Sequence, residues 1–277
     1  MININGELLF KENIKLSTEN RGFKYGDAIF ETIKVLNNKV VFFEDHYFRL
    51  MASMRMLRMK IPMNFTLEFL EKEILRTVNV LDKVNSYRVR LTVYRKDGGL
   101  YNPTTNEIEY LIDAKENSYL TKSSYQLDLF KDFYNYSGIL STVKTNNRMV
   151  NTLASIFADE NDLDNCVLLN ERKGVVEVTN GNIFIIKDKI IKTPALTEGC
   201  IKGVLRSKVI DILNQNEEFT LEETVISPFE IQKADEVFIT NTIIGIQPVT
   251  KYRKKSFETK IGEKLAANLK VMQLTSK

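Results

Sequence analysis

Residues Lys144 to Asn151 read KTNNRMVN, and this stretch decides how the rest of the chain is interpreted. It follows the segment GILSTV, which we expect to be extended, and precedes a run that predicts a helix from about residue 149 to 160. Burial and a helix dipole can lower the pKa of a lysine at a helix entry, which makes it a usable nucleophile or base. The alternative is a solvated lysine on a loop, and local spacing alone favours that alternative.

Strand and helix patterns lie on both sides of this stretch. Apolar and β-branched runs predict strands at 28–35, 39–43, 87–94, 107–114, 166–169, 175–178, 183–186, 190–192, 222–226 and 236–240. Apolar residues three or four positions apart predict helices at about 44–60 and 66–81, from Gly203 onward, and over 261–272. Strands and helices are mixed without strict alternation, which favours an α+β fold.

A polar stretch without periodicity, 117–123, predicts the division of the chain into domains of residues 1–118 and 119–277. A length of 277 residues fits two domains of about 150 residues each. Asn37-Asn38 predicts a hairpin turn, because asparagine tolerates positive φ. Residues 227–230, SPFE, form a capping box with proline at the first helical position.

Composition excludes several classes of function. The 39 basic and 36 acidic residues give a net charge of +3, too small to indicate nucleic-acid binding, and we interpret the basic cluster 251–255 as a solvated loop. His46 is the only histidine, and Cys166 and Cys200 fit no metal-binding spacing, so no metal is expected. The N-terminus lacks a signal pattern and no apolar run approaches the ~20 residues of a membrane helix. We therefore expect a cytoplasmic protein.

Further candidates for function lie after the lysine. Gly203 opens a helix whose free N–H groups form an anion site, although a plain tight turn is the alternative. Thr240 and Thr242 lie at the end of the predicted strand 236–240. They supply hydroxyls for a phosphate or are simply good strand residues. Glu177 is either a functional carboxylate or an exposed strand residue, and His46 is interpreted as structural.

In this order, these segments resemble the fold-type IV pyridoxal-phosphate enzymes, the class IV aminotransferases. The resemblance covers about residues 3 to 250. Its motifs are 21–27 (RGFKYGD), 30–32 (FET), 44–46 with 49–50, Lys144-x-x-Asn147, 176–177, 182–184, 203–206, 234–238 and 241–248.

The resemblance implies a two-domain α+β enzyme, with a small N-terminal domain, a larger cofactor-binding C-terminal domain, and a homodimer. It implies that Lys144 forms a Schiff base with pyridoxal phosphate and that Glu177 pairs with the pyridine nitrogen. Arg49, the N–H groups of Val204 and Leu205, and Thr242 would bind the phosphate, with His46 as a support for Arg49. These roles agree with the physics of phosphate and pyridinium binding.

Three activities share this family: aminodeoxychorismate lyase, branched-chain aminotransferase and D-amino-acid aminotransferase. The stretch 144–148, KTNNR, and the stretch 241–248, NTIIGIQP, are similar to lyase sequences. Phe30 stands where D-amino-acid enzymes usually carry tyrosine, so that activity ranks third. Arg95 and Arg148 are candidate partners for the carboxylates of a small-molecule dicarboxylate substrate, and Phe30 is a further candidate for contact with the substrate. We therefore favour the lyase, with the branched-chain enzyme as the alternative.

Overall fold

The computed structural model describes residues 1–275, which contain sixteen β-strands and seven α-helices. They divide into two units. The first comprises Met1–Ser118 with Lys144–Asn147, and the second comprises Tyr119–Val143 with Arg148–Thr275. None of the helices in the described part combines the length and hydropathy needed to span a membrane.

The first unit is built on one six-stranded antiparallel sheet. Its strands are β1 (Ile2–Ile4), β2 (Glu7–Leu9), β3 (Ala28–Leu36), β4 (Lys39–Val40), β5 (Ser86–Arg95) and β6 (Ile108–Glu116). Its helices are α1 (Arg21–Tyr25), α2 (Phe43–Met56) and α3 (Leu67–Val78). The strand order is β2-β1-β6-β5-β3-β4, so the longest strands lie in the middle of the sheet.

The two faces of this sheet differ in burial. Side chains alternate between the faces of a strand, and Ile33, Val89 and Ile112 are completely buried on one of them. Helix α2 packs on β3 and α3 packs on β6, and their buried residues include Leu50 and Ile74. The residues at the alternate positions of β3, β5 and β6 project from the other face. Most of them are only half-buried, so this face can carry polar side chains.

The second unit contains two five-stranded sheets. Its strands are β7 (Gln126–Leu129), β8 (Asn165–Leu169), β9 (Val175–Val178), β10 (Asn182–Lys187), β11 (Ile190–Pro194), β12 (Thr220–Thr224), β13 (Glu236–Asn241), β14 (Gly245–Val249), β15 (Lys251–Tyr252) and β16 (Lys255–Ser256). Its helices are α4 (Met149–Glu160), α5 (Val204–Asn214), α6 (Pro228–Lys233) and α7 (Lys260–Thr275). The sheet orders are β12-β11-β10-β13-β14 and β16-β15-β7-β8-β9. An apolar core joins the two sheets through residues such as Val167, Val178, Ile183 and Ile239.

Most of the predicted elements are present, and their turn chemistry is confirmed. Asn37 and Asn38 both have positive φ, 49° and 61°, and connect β3 to β4. Ser227 caps α6 through the predicted capping box with Glu230. The sequence interpretation did not include the hairpin β1–β2, although its Asn5-Gly6 turn has the typical residue types and positive φ values.

Three local predictions are wrong. The predicted strand 39–43 stops at Val40, because Phe42 adopts a left-handed conformation (φ 51°) and α2 begins at Phe43. The segment GILSTV is not extended, since Ile139–Thr142 forms a 3-10 turn. The cluster 251–255 is not a solvated loop throughout, because Tyr252 is fully buried in β15.

Candidate active site

Lys144 belongs to the first unit and is fixed by backbone pairing with β3. The Phe30 N–H donates to the Lys144 carbonyl and the Asn146 N–H donates to the Ala28 carbonyl, both at 2.9 Å. Thr145 forms an isolated bridge with Ile29. This short pairing holds the lysine beside Phe30, and α4 begins only at Met149, five residues later.

The side chain of Phe30 brings two cations together. The Lys144 ammonium lies 4.4 Å from the centroid of the Phe30 ring, and the Arg90 guanidinium lies 3.6 Å from it. Arg90 donates to the Asn146 amide oxygen (2.9 Å) and to the Thr92 hydroxyl (3.3 Å), both of which are neutral. Burial lowers the pKa of Arg90, the charge of Arg88 lowers it further and Asp113 partly opposes the shift. Arginine remains charged despite such a shift.

Arg90 is the functional candidate that the sequence interpretation missed. On β5, Arg88, Arg90 and Thr92 alternate with buried apolar residues and share a face with Phe30. The alternation is visible in the sequence. The sequence does not show that Arg90 pairs with Thr32 and so lies one row from Phe30, because this depends on the register between β3 and β5.

Arg49 lies in α2 and is held by a buried carboxylate. Its Nε donates to Glu31 Oε1 at 2.8 Å, its Nη2 donates to the second oxygen, and His46 Nδ1 is 2.7 Å from that same oxygen. Burial alone would raise the pKa of Glu31, but the charge and hydrogen bonds of Arg49, together with His46, lower it to about 2. Burial lowers the pKa of His46, although Glu31 opposes this. The predicted link between His46 and Arg49 therefore runs through Glu31.

The other two predicted arginines have different surroundings. Arg95 is buried in β5, and its nitrogens donate to Asp27 (2.9 Å), Asn106 and the Leu57 carbonyl (2.7 Å). Asp27 also accepts from Arg21 at 3.0 Å, so Arg95 is part of a structural network. Arg148 lies in the second unit at the start of α4, where it donates to the Val143 carbonyl at 2.9 Å. None of these contacts involves Phe30.

Glu177 is a buried carboxylate in the second unit, on β9. Its Oε2 accepts from the Ile201 N–H at 3.0 Å. Burial raises the pKa of the neighbouring Cys200 thiol to about 12, and the charge of Glu177 contributes in the same direction. The alternative of an exposed strand residue is therefore wrong for Glu177, which is positioned to stabilise a cation.

Helix α5 begins with Val204 and Leu205, directly after Gly203. Glycine at this N-cap has no side chain to accept from the first turn, so the backbone N–H groups there suit an anion. A Cβ on Gly203 would lie 2.0 Å from Asn182 Oδ1. Asn182 is itself buried and donates to the Ile201 carbonyl at 2.9 Å, which explains the requirement for glycine.

Thr242 lies just beyond the end of β13. The Asn241 side-chain oxygen accepts from the N–H groups of Ile243 (3.0 Å) and Ile244 (2.9 Å) and thereby fixes the turn that carries Thr242. Within residues 1–275, the hydroxyl of Thr240 is buried without a hydrogen-bond partner. Successive hydroxyls at this strand end are suitable donors for a phosphate oxygen.

These groups match the chemistry of pyridoxal phosphate. A helix start without a side-chain cap and a buried hydroxyl lacking a partner suit its phosphate, and a buried carboxylate suits its ring nitrogen.

The relatives of this chain carry the names of three different activities. A putative branched-chain-amino-acid aminotransferase of Methanocaldococcus jannaschii is 31% identical over 259 residues, which cover 90% of this chain and 86% of the relative. A D-alanine aminotransferase of Listeria monocytogenes is 28% identical, covering 89% and 86%. An aminodeoxychorismate lyase of Vibrio harveyi is 28% identical, covering 83% and 84%.

Solved structures share the fold across the whole chain. A branched-chain aminotransferase of Thermoproteus uzoniensis superposes with a TM-score of 0.91 at 23% identity, covering 100% of this chain and 95% of the other. A putative 4-amino-4-deoxychorismate lyase of Legionella pneumophila gives 0.86 at 24% identity, covering 95% and 97%. The predicted fold class, a fold-type IV α+β enzyme, is confirmed.

A family model matches most of the chain. The model for the class IV aminotransferases matches residues 28–252, which include Lys144, Glu177, Arg49 and the start of α5. The chain therefore belongs to the class IV aminotransferase family and is an enzyme that depends on pyridoxal 5′-phosphate.

Proposed function

We propose that this enzyme is a lyase that converts 4-amino-4-deoxychorismate to 4-aminobenzoate and pyruvate. The observation that carries the proposal is the position of Arg90 beside Lys144 on the ring of Phe30. Within residues 1–275, the guanidinium of Arg90 is hydrogen-bonded only to a neutral amide and a hydroxyl, which keeps its charge available for a substrate carboxylate. A substrate that carries a carboxylate therefore fits this surface.

Each predicted cofactor-binding residue has a role toward the cofactor in this proposal. Lys144 bonds to it, Arg49, Thr242 and the N–H groups of Val204 and Leu205 bind its phosphate, and Glu177 holds a proton on its ring nitrogen. Pyridoxal phosphate, when bound, supplies an electron sink for the substrate carbon that loses a proton. Glu177 supports this role because a buried carboxylate favours the protonated ring.

Lys144 acts as the base of the reaction in this proposal. Its amine removes the proton from C4 of the substrate, the bond between C3 and the ether oxygen breaks, and the enolpyruvyl group leaves. The enolpyruvyl group leaves as an enolate, which takes up one proton at its terminal carbon to become pyruvate, and the ring becomes aromatic. Because aromatisation drives the step, the protein mainly has to orient the substrate, which is the role given to Arg90 and Phe30. Arg148 and Arg95 are not required for it.

The alternative is a branched-chain aminotransferase, and one observation favours it. The relative with 31% identity, which matches 90% of this chain, carries that name. The same lysine would then move a proton from the α-carbon of an amino acid, and 2-oxoglutarate would accept the amino group. In that case Arg90 would bind the carboxylate of the amino acid.

We also propose the biological setting of the reaction. The enzyme would act as a homodimer in the cytoplasm and would supply 4-aminobenzoate for folate synthesis. The homodimer predicts a mass of about twice 32.0 kDa by sedimentation or light scattering. A monomeric mass for the active, cofactor-loaded enzyme would contradict this part of the proposal.

Product release tests the proposed reaction. The cofactor-loaded enzyme is given 4-amino-4-deoxychorismate, and in parallel L-leucine with 2-oxoglutarate. We expect 4-aminobenzoate and pyruvate in equal amounts, at a rate well above that of glutamate formation. Lys144→Ala should abolish release, whereas Lys131→Ala, which removes an exposed lysine of the second unit, should not. Glutamate formation without 4-aminobenzoate would establish the aminotransferase instead.

A further inference from the structure

We propose that a row of three basic residues next to Arg90, formed by Lys34, Arg88 and Lys115, recognises a second carboxylate of the substrate. The enzyme would then be specific for small dicarboxylate amines, with Arg88 as the residue that determines the specificity. This inference rests on the proposed function and extends it from one carboxylate to two.

The register of the sheet places these residues in one row. Lys34 on β3 pairs with Arg88 on β5, and Arg88 pairs with Lys115 on β6. Directly paired residues of antiparallel strands project from the same face. The next row on that face contains Arg90, and the row after it contains Phe30, which contacts Lys144. All of these residues belong to the first unit.

Arg88 has a like charge directly opposite it on each of the two neighbouring strands. Like charges directly opposite one another destabilise a strand pair by about 0.2–1 kcal/mol. Within residues 1–275, the half-buried guanidinium of Arg88 has no hydrogen-bond or ion-pair partner, and its charge lowers the pKa of Arg90. An anion from outside the chain would supply the partner that Arg88 lacks within residues 1–275.

The spacing of the rows fits two carboxylates on one molecule. Neighbouring rows on a face are two residues apart, or about 7 Å along the strand. Arg90 and Arg88 can therefore each meet a different carboxylate, and one carboxylate cannot easily satisfy both. Within residues 1–275, the acidic residues that the strand register places on this face are Asp113, in the row of Arg90, Glu7, in the row of Phe30, and Glu109, one row beyond Phe30. None of them lies in the basic row.

The test compares two ligands that differ by one carboxylate. The dissociation constants of 5-aminoisophthalate and 3-aminobenzoate are measured by calorimetry on the cofactor-loaded enzyme. We expect the wild type to bind the dicarboxylate at least tenfold more tightly, and Arg88→Gln to reduce that ratio to about twofold or less. Lys72→Gln is the matched control, since it removes an exposed positive charge from α3 of the same unit and should keep the ratio.

Two further variants guard against a folding defect. Arg88→Lys keeps the charge and should retain most of the ratio, and Lys115→Gln, which changes an exposed residue, should lower it partially. An unchanged ratio in Arg88→Gln, or equal affinities of the wild type for the two ligands, would overturn the inference. The proposed reaction is judged separately, by release of 4-aminobenzoate. Lyase turnover with an unchanged ratio would refute the inference alone, and an Arg88-dependent ratio without lyase turnover would refute the reaction alone.

Discussion

Arg90 and Arg95 lie five positions apart on β5 and project from opposite faces of the sheet. Arg95 is surrounded by Asp27, Asn106 and a carbonyl, whereas Arg90 lies on an aromatic ring with neutral partners. The same residue type therefore stabilises the unit at one position and is available to a ligand at the other.

This difference predicts that substitution by glutamine lowers catalytic efficiency at Arg90 and stability at Arg95. Arg90→Gln should lower kcat/KM for the carboxylate substrate roughly 10- to 100-fold, because a charge-assisted contact is lost. Arg95→Gln should instead lower the free energy of unfolding by about 2–5 kcal/mol, because Asp27 loses a buried partner. Steady-state kinetics and urea unfolding of both variants check the pair. A kinetic defect confined to Arg95→Gln would contradict the assignment of Arg90.

At the scale of elements, the start of α5 connects several parts of the second unit. Gly203 leaves room for Asn182, Asn182 holds the Ile201 carbonyl, and the Ile201 N–H holds Glu177. A change at the helix start therefore reaches both the anion-binding N–H groups and the buried carboxylate.

Gly203→Ala should weaken the binding of pyridoxal phosphate by at least about tenfold, because the new methyl group displaces Asn182. The matched control is Gly138→Ala, where a Cβ meets nothing within 4 Å and the backbone is extended. Titration of the cofactor by absorbance gives both dissociation constants. Equal constants for the two variants would show that the start of α5 is not a cofactor site.

Some elements could be predicted because their signals are local. The Asn37-Asn38 turn and the capping box of α6 depend on a few neighbouring residues whose side chains select the backbone conformation. The run 39–43 is apolar enough for a strand, but tertiary packing places Phe42 in a left-handed conformation and starts α2. Tyr252 is buried through the parallel pairing of β15 with β7, which no local pattern indicates.

The residues of the candidate site could also be predicted only where their signals are local. Lys144, Arg49 and Glu177 could be proposed because each lies in a recognisable motif. Arg90 could not, because its proximity to Lys144 depends on the register of β5 against β3 and on the pairing of residues 144–146 with β3. These are contacts between residues more than 50 positions apart in sequence, as in the hydrogen bond from Arg90 to Asn146.

For the whole molecule, the cluster of Glu31, His46 and Arg49 predicts a loss of stability in acid. The folded pKa of His46 is lowered from an ordinary value of 6.5, so the unfolded chain binds more protons below that pH and stability falls. Glu31 has a folded pKa of about 2 against an ordinary 4.5, so its contribution is lost as the pH falls from about 4.5 towards 2.

Urea unfolding between pH 7 and 4 measures this dependence. His46 is the only histidine in the chain, so His46→Gln should flatten the decline in stability between pH 6.5 and 5. The readout is the slope, because the variant is also expected to be less stable at every pH. Parallel curves for wild type and variant would contradict the neutral, buried state of His46.

Lys144 is the residue that carries the chemistry in the proposed reaction. The most direct measurement reduces the cofactor-loaded enzyme with borohydride, digests it and locates the phosphopyridoxyl group by mass spectrometry. We predict the label on the peptide that contains Lys144, in near-stoichiometric amount. A label on another lysine would contradict the assignment of the active site.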